Sequence, residues 1–172
     1  MRLIPTSPLL IGLTLLSALS ATDLLAKTSD RNQPMDVAAD RTDAGLGDDS
    51  DSTLSGNVRI TQGTLEVDAD TAVIHRKKGD IDNVVLNGQP AVLKQTADNG
   101  DPMTARASKI VYTLSNDQML LTGNVQVEQP RGNLHGETVR YDLKTGRLDG
   151  GGDGSRVTMR ILPKTTTPEP KP

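Results

Sequence analysis

The chain has 172 residues, a formal net charge of −3 and no cysteine, tryptophan or phenylalanine. Without cysteine there is no disulfide framework, no zinc–thiolate site and no thiol nucleophile. The mildly acidic balance, with no basic stripe and almost no rings for base stacking, argues against nucleic acid as a partner.

Met1-Arg2 followed by the apolar run Leu9–Leu19 and the small residues Ser20 and Ala21 has the order of a secretory signal peptide. The run is shorter than the roughly 20 apolar residues a spanning helix needs. Residues 1–26 are therefore expected to be a cleaved signal, with the cut after Ser20 or after Ala26; an uncleaved anchor is the alternative. The segment carries one Arg2 and one Asp23, so its removal leaves the net charge at −3. Residues 27–163 are expected to form one domain, and the Pro/Thr-rich stretch 164–172 a disordered tail.

Within the domain a unit recurs about every 33 residues. LSGNVRITQ (54–62) returns as LTGNVQVEQ (121–129), with a weaker copy, LNGQPAVLKQ (86–95), between them. A second element, LEVDADTAVIH (65–75), MTARASKIVYT (103–113) and LHGETVRYD (134–142), follows each copy, and MDVAADRTD (35–43) is a truncated version at the start. Leu54, Gly56, Val58 and Ile60 alternate with polar residues, as do Val125 and Val127, and later Val157, Met159 and Ile161. That period of two predicts antiparallel strands with one dry face and one wet face. Gln62-Gly63, Lys78-Gly79-Asp80, Asn99-Gly100-Asp101, Ser115-Asn116-Asp117, Pro130-Arg131-Gly132 and Lys144-Thr145-Gly146 mark the turns. Asp43–Ser52 reads as an acidic loop, and Gly150–Gly154 as a flexible break before a last strand at about 156–162. The fold class is all-β.

The polar residues offer catalysis little. His75 and His135 lack partners at metal-ligand spacing and read as surface histidines. Asp48-Asp49-Ser50-Asp51 lacks the alternation and closing Glu of a calcium loop and reads as a solvated run. Glu66, Asp68 and Asp70 share a strand face as paired acid/base carboxylates would, but by alternation that face is wet. No Ser/His/Asp set or Gly-rich phosphate loop is present, so no cofactor is expected. The aliphatic face remains. Its ordinary reading is a packed core, but the small inward residues Ala39, Ala69, Ala105, Ala107 and Gly136 would leave room for a slot. Such a slot would gain about 0.8 kcal/mol per buried CH₂ of an alkyl chain.

With these elements in order behind a signal peptide, the chain resembles the LptA/OstA-like family of periplasmic lipopolysaccharide-transport proteins. The landmarks are Asn32–Val37, the GNV copies at 56–62 and 123–129, Gly88–Gln95, Ala107–Tyr112 and Gly136–Tyr141. The resemblance implies an open, twisted, V-shaped antiparallel β-jellyroll with a greasy groove along its length. It further implies that lipopolysaccharide is bound by the acyl chains of lipid A. The partners it implies are an LptC-like inner-membrane protein, an LptD-like outer-membrane protein and further copies of the chain head to tail. Carried onto this sequence, the groove positions are Met35, Val37, Leu93, Tyr112 and Leu114, and alternation adds Val58, Ile60, Val125 and Val127. The partner-binding edges would be Met35, Asp36, Val37 and Ala38 at one end and Val157, Met159 and Ile161 at the other. Rival readings are a structural or adhesive β-module that associates only through its edges, and an enzyme acting on polysaccharide.

Overall fold

The computed structural model describes residues 30–45, 47–97, 99–152 and 154–163; the expected signal peptide and C-terminal tail lie outside them. After a 3-10 turn at Asp30–Asn32 come ten strands: β1 (Asp36–Ala38), β2 (Arg41–Ala44), β3 (Asp51–Gln62), β4 (Leu65–Lys77), β5 (Asp80–Thr96), β6 (Pro102–Thr113), β7 (Gln118–Gln129), β8 (Gly132–Asp142), β9 (Arg147–Gly150) and β10 (Thr158–Ile161). They form one antiparallel sheet in the order β1-β3-β4-β5-β6-β7-β8-β10, with β2 also on β3 and β9 also on β8. From β3 to β9 each strand pairs with the next in the chain, and the sheet is open because β1 and β10 do not meet. In the turn after β8, the Thr145 and Lys144 amides donate to the Asp142 carboxylate at 2.9 Å each. These bonds, that of Thr145 foremost, hold its carboxyl below the ordinary range.

Each long strand is broken near its middle, and the β4–β5 pairing shifts a second time between His75 and Arg76. Register shifts fall between Ser55 and Val58, Asp68 and Thr71, Asn87 and Ala91, Arg106 and Lys109, and Thr122 and Val125. Thr71 faces both Ser55 and Asn87, Asn87 faces Lys109, and Lys109 faces Thr122, so the shifts align across the sheet. A β-bulge inserts an extra residue and bends its strand. A line of them is a corner. It divides the sheet into a first wall (58–69, 91–107 and 125–136) and a second (51–55, 71–87, 109–122 and 138–150).

The sequence repeat is this corner. Gly56-Asn57 and Gly123-Asn124 take the left-handed conformation, with φ of 78° and 45° in the first copy and 84° and 49° in the second. Only glycine, and less readily asparagine, adopts it at small cost. Space is short as well: a Cβ on Gly123 would lie 2.7 Å from Ser108 Cβ, and one on Gly56 would lie 2.6 Å from Asp40 Oδ2. Gly56 therefore shapes the bend and is not an inward member of the alternating set. Beside it, Asn57 Nδ2 donates to Asp40 Oδ2 at 2.7 Å, where the edge itself breaks between β1 and β2.

Two boundaries differ from expectation. The stretch 43–52 is not wholly loop: Arg41–Ala44 pairs with β3, which begins at Asp51. Val157 is not part of the last strand. It lies half-buried, its Cγ2 only 3.2 Å from where Cβ atoms of Gly136 and Gly150 would stand. Gly136 is thus small in order to seat Val157.

Candidate functional site

The inward residues of both walls form one apolar cluster. From the first wall come Val58, Ile60, Leu65, Val67, Leu93, Met103, Val125, Val127 and Leu134; from the second come Leu54, Val84, Leu86, Ile110, Met119, Leu121 and Val139, with Tyr112 and Tyr141. Each is 5% exposed or less. Of the positions expected to line a groove, Val58, Ile60, Leu93, Tyr112, Val125 and Val127 lie side by side in this interior. Met35 and Leu114 are half-buried at its margin, and Val37 is 37% exposed on β1. The expected slot is not open in this conformation. Ala105 and Ala107 are buried among their neighbours, because the facing wall closes over them. Strand periodicity shows which face is dry, not what covers it.

Opposite the corner the two walls meet along a mouth, where strand ends of the first wall touch strand ends of the second. Tyr112 Oη, on β6, donates to Gln62 Oε1 at the end of β3 at 3.4 Å, and Tyr141 Oη, on β8, donates to Gln95 Oε1 on β5 at 2.9 Å. Each contact spans three strands of the sheet order, so the roll is skewed. Burial, together with the nearby Asp117 charge, pushes the Tyr112 hydroxyl above its ordinary value, while Arg31 opposes that shift. Arg31 Nε also crosses the mouth, to Asp117 Oδ2 at 3.6 Å, and Lys144 Nζ reaches the same oxygen at 3.3 Å. Farther along, a cleft of about 270 Å³ lies between Gln95, Thr96 and Asn99 on one side and Tyr141, Leu143 and Gly146 on the other. Among the described residues the bonds that cross the mouth are side-chain bonds, whereas the corner is continuous backbone. Arg31 and Asp117 carry no sequence signal for this role, and although Gln62 and Gln95 each close a copy of the repeat, a polar residue at a strand end does not indicate what it will meet.

The wet face holds the carboxylates. Arg59 Nε donates to Asp68 Oδ1 at 2.7 Å and its Nη2 lies 3.8 Å from Glu66 Oε1, which Lys94 approaches to 3.2 Å. The hydrogen bond to Asp68, with both carboxylates nearby, raises the Arg59 guanidinium above its ordinary value. Glu66 and Asp68 are thus neutralised by cations across the strands, unlike an acid/base pair sharing a proton. Asp70 Oδ2 accepts the Gln89 amide at the corner. His75 has a partner that spacing did not suggest: its Nδ1 is 2.7 Å from Asp51 Oδ1. In the acidic run, the Asp48 carbonyl and the Asp49 carboxylate accept the Gly79 and Lys78 amides and tie the loop to the β4–β5 turn. No three His, Asp or Glu side chains gather as metal ligands among the described residues.

The two edges are bare. All of β1 and β10 is exposed, with Met159 at 64% and Ile161 at 72%. Each uses one side of its backbone, on β3 and β8 respectively. An edge of this kind can accept a further strand.

The sequence and the fold have counterparts among known proteins. A family model described as LptA/(LptD N-terminal domain) LPS transport protein matches residues 36–147. The lipopolysaccharide export system protein LptA of Escherichia coli is 34% identical over 163 residues, which cover 92% of this chain and 88% of that protein. Its counterpart from Haemophilus influenzae is 33% identical over 167 residues, 95% of each. The crystal structure of LptH, the LptA-homologous periplasmic component of the lipopolysaccharide transport device of Pseudomonas aeruginosa, matches with a TM-score of 0.71 at 26% identity. It covers 78% of this chain and 99% of that one.

Proposed function

The chain belongs to the LptA/LptD N-terminal-domain family of lipopolysaccharide transport proteins, and we propose that it is a non-enzymatic periplasmic carrier that holds lipid A acyl chains between its two walls and passes them along a bridge to the outer membrane. The observation that carries this reading is an aliphatic interior closed along one side by side chains alone. Parting the walls would expose Leu93, Ile110, Val84 and their neighbours to water, unless alkyl chains took the place of the opposite wall. Two twelve-carbon tails bury roughly 15–20 kcal/mol of gross apolar transfer energy, and they replace aliphatic contact with aliphatic contact. The sugar head stays at the mouth, in water. Tight holding at every station means that transfer runs between sites of similar affinity, with direction imposed by an energy source elsewhere.

Val58, Ile60, Leu93, Tyr112, Val125 and Val127 are the proposed tail contacts, with Met35, Val37 and Leu114 at the margin. The bare edges supply the joints. β1 (Asp36, Val37, Ala38), led by Met35, and β10 (with Met159 and Ile161) are the proposed docking strands for an LptC-like protein, an LptD-like protein and further copies of the chain. Because the two ends differ, copies joined this way form an open filament.

Photocrosslinking in living cells from Leu93 and Tyr112 tests the interior directly, and lipopolysaccharide adducts are expected at both. Leu114→Asp is expected to weaken transport by placing a charge beside alkyl chains; normal growth with this variant as the sole copy would count heavily against the interior as the lipid site. One observation favours a second reading, a structural β-module joined only by its edges: the interior is packed when empty. A chain that polymerises but never takes up a fluorescent lipid A analogue would establish that reading instead.

A further inference from the structure

The 3-10 turn at the start of the described chain is fastened to both walls. On the first wall, Thr64 Oγ1 donates to the Asp30 carboxylate, and the Thr96 amide donates to Thr64 Oγ1 at 3.3 Å. Gln62 Nε2 lies 3.2 Å from both the Arg31 and the Gln33 carbonyl oxygens. The segment is therefore seated on β3 and β5, with Asp30 buried at 7% exposure. From that seat Arg31 reaches the second wall at Asp117, in the β6–β7 turn, and the two side chains are 16% and 17% exposed. Asp117 is itself anchored: Lys144 approaches its carboxylate, and its carbonyl accepts the Leu143 amide at 2.9 Å.

The strength of these fastenings is uneven. The bonds that seat the segment on the first wall are several, and they involve backbone carbonyls and an amide. Those that cross to the second wall beside the segment are few and long, 3.6 Å for Arg31–Asp117 and 3.4 Å for Tyr112–Gln62, while the shorter Tyr141–Gln95 bond, at 2.9 Å, lies farther along the mouth. Arg31 Nη1 is buried with no hydrogen-bond partner, so the guanidinium loses water without a full set of bonds in return, and the pairing with Asp117 recovers only part of what a fully bonded ion pair would. A contact of that kind closes the mouth without locking it.

We infer that residues 30–33 are a clasp, and that the Arg31–Asp117 contact sets how fast alkyl chains enter between the walls. This inference rests on the lipid-carrier reading. The empty molecule sits mostly in the closed form, and its apparent affinity is the intrinsic affinity reduced by the fraction that is open. Weakening the clasp enlarges that fraction. It therefore speeds entry, while exit from the loaded and already unclasped molecule is unchanged.

The experiment is stopped-flow mixing of the full mature chain with a fluorescent lipid A analogue. Asp117→Asn and Arg31→Gln should each raise the association rate about tenfold, the change that 1.4 kcal/mol makes. Dissociation should stay constant, and the double variant should be no faster than either single one, because the only contact across the mouth that both remove is the same one, the Lys144–Asp117 pair lying within the second wall. Asp117→Glu should restore slow entry. Equal association rates in all variants would overturn the clasp while leaving the carrier intact. So would variants that mainly raise dissociation or lower the melting temperature, since that is what a merely structural contact predicts. A wild-type chain that never takes up the probe would bring down the carrier reading, and the clasp with it.

Discussion

The corner and the mouth both bring the two walls together, but by different means. At the corner, the backbone runs unbroken through six long strands, and Gly56 and Gly123 take conformations that other residues adopt only under strain. At the mouth, two tyrosine hydroxyls and one guanidinium cross a gap that no backbone hydrogen bond bridges among the described residues. One line is fixed by the chain itself and the other by contacts that can be exchanged. A sheet built this way opens only along one side, so substitutions at the two lines should have separable effects.

The largest effect is expected from the interior both lines enclose. Leu93→Ala should cost about 3 kcal/mol, within the range for truncating a buried leucine, read as a shifted midpoint in urea unfolding. Gly123→Ala should cost roughly 2–3 kcal/mol through its left-handed φ and the approach of Ser108. If Gly123→Ala proved neutral, the corner would be softer than its geometry indicates. At the mouth, Tyr112→Phe should cost about 1 kcal/mol or less at neutral pH.

That variant has a second signature in alkali. The folded Tyr112 hydroxyl ionises above its ordinary value of 10.0, so above about pH 10 the unfolded chain releases its proton first. Stability from this group is complete below that pH and is lost as pH rises through the folded value. Tyr112→Phe should flatten the fall, and an unchanged alkaline slope would mean the hydroxyl is not held as described. Smallest of all is the outer face, where Arg59→Ala, despite its short bond to Asp68, should leave the melting temperature unchanged within error because the pair is solvated.

The long strands were readable from alternation, and the turns from Gly, Asn and Asp, but the short strands β2 and β9 were not. The GNV repeat was visible too, but its meaning was not: a glycine at a bulge falls in step with an inward residue and passes for one. Val157 misled in the same way. It continues the Val-x-Met-x-Ile pattern, and only the glycines at 136 and 150, distant in sequence, reveal the pit that seats it. That Val58, Ile60, Leu93, Tyr112, Val125 and Val127 lie inside was legible because burial follows periodicity, whereas Met35, Val37 and Leu114 stand at the margin or exposed. The closure over the interior was not legible, since it depends on Gln62, Gln95 and Asp117, polar residues whose role arises from a fold-back across three strands.

Tyr112 and Tyr141 are the only aromatic residues in the chain, and both place their hydroxyls where the walls would separate. The protein therefore carries its own optical label at one location. With no tryptophan or phenylalanine to mask it, near-ultraviolet absorbance and intrinsic emission come from those two phenols, so a spectral change on loading would report on the seam without any attached dye.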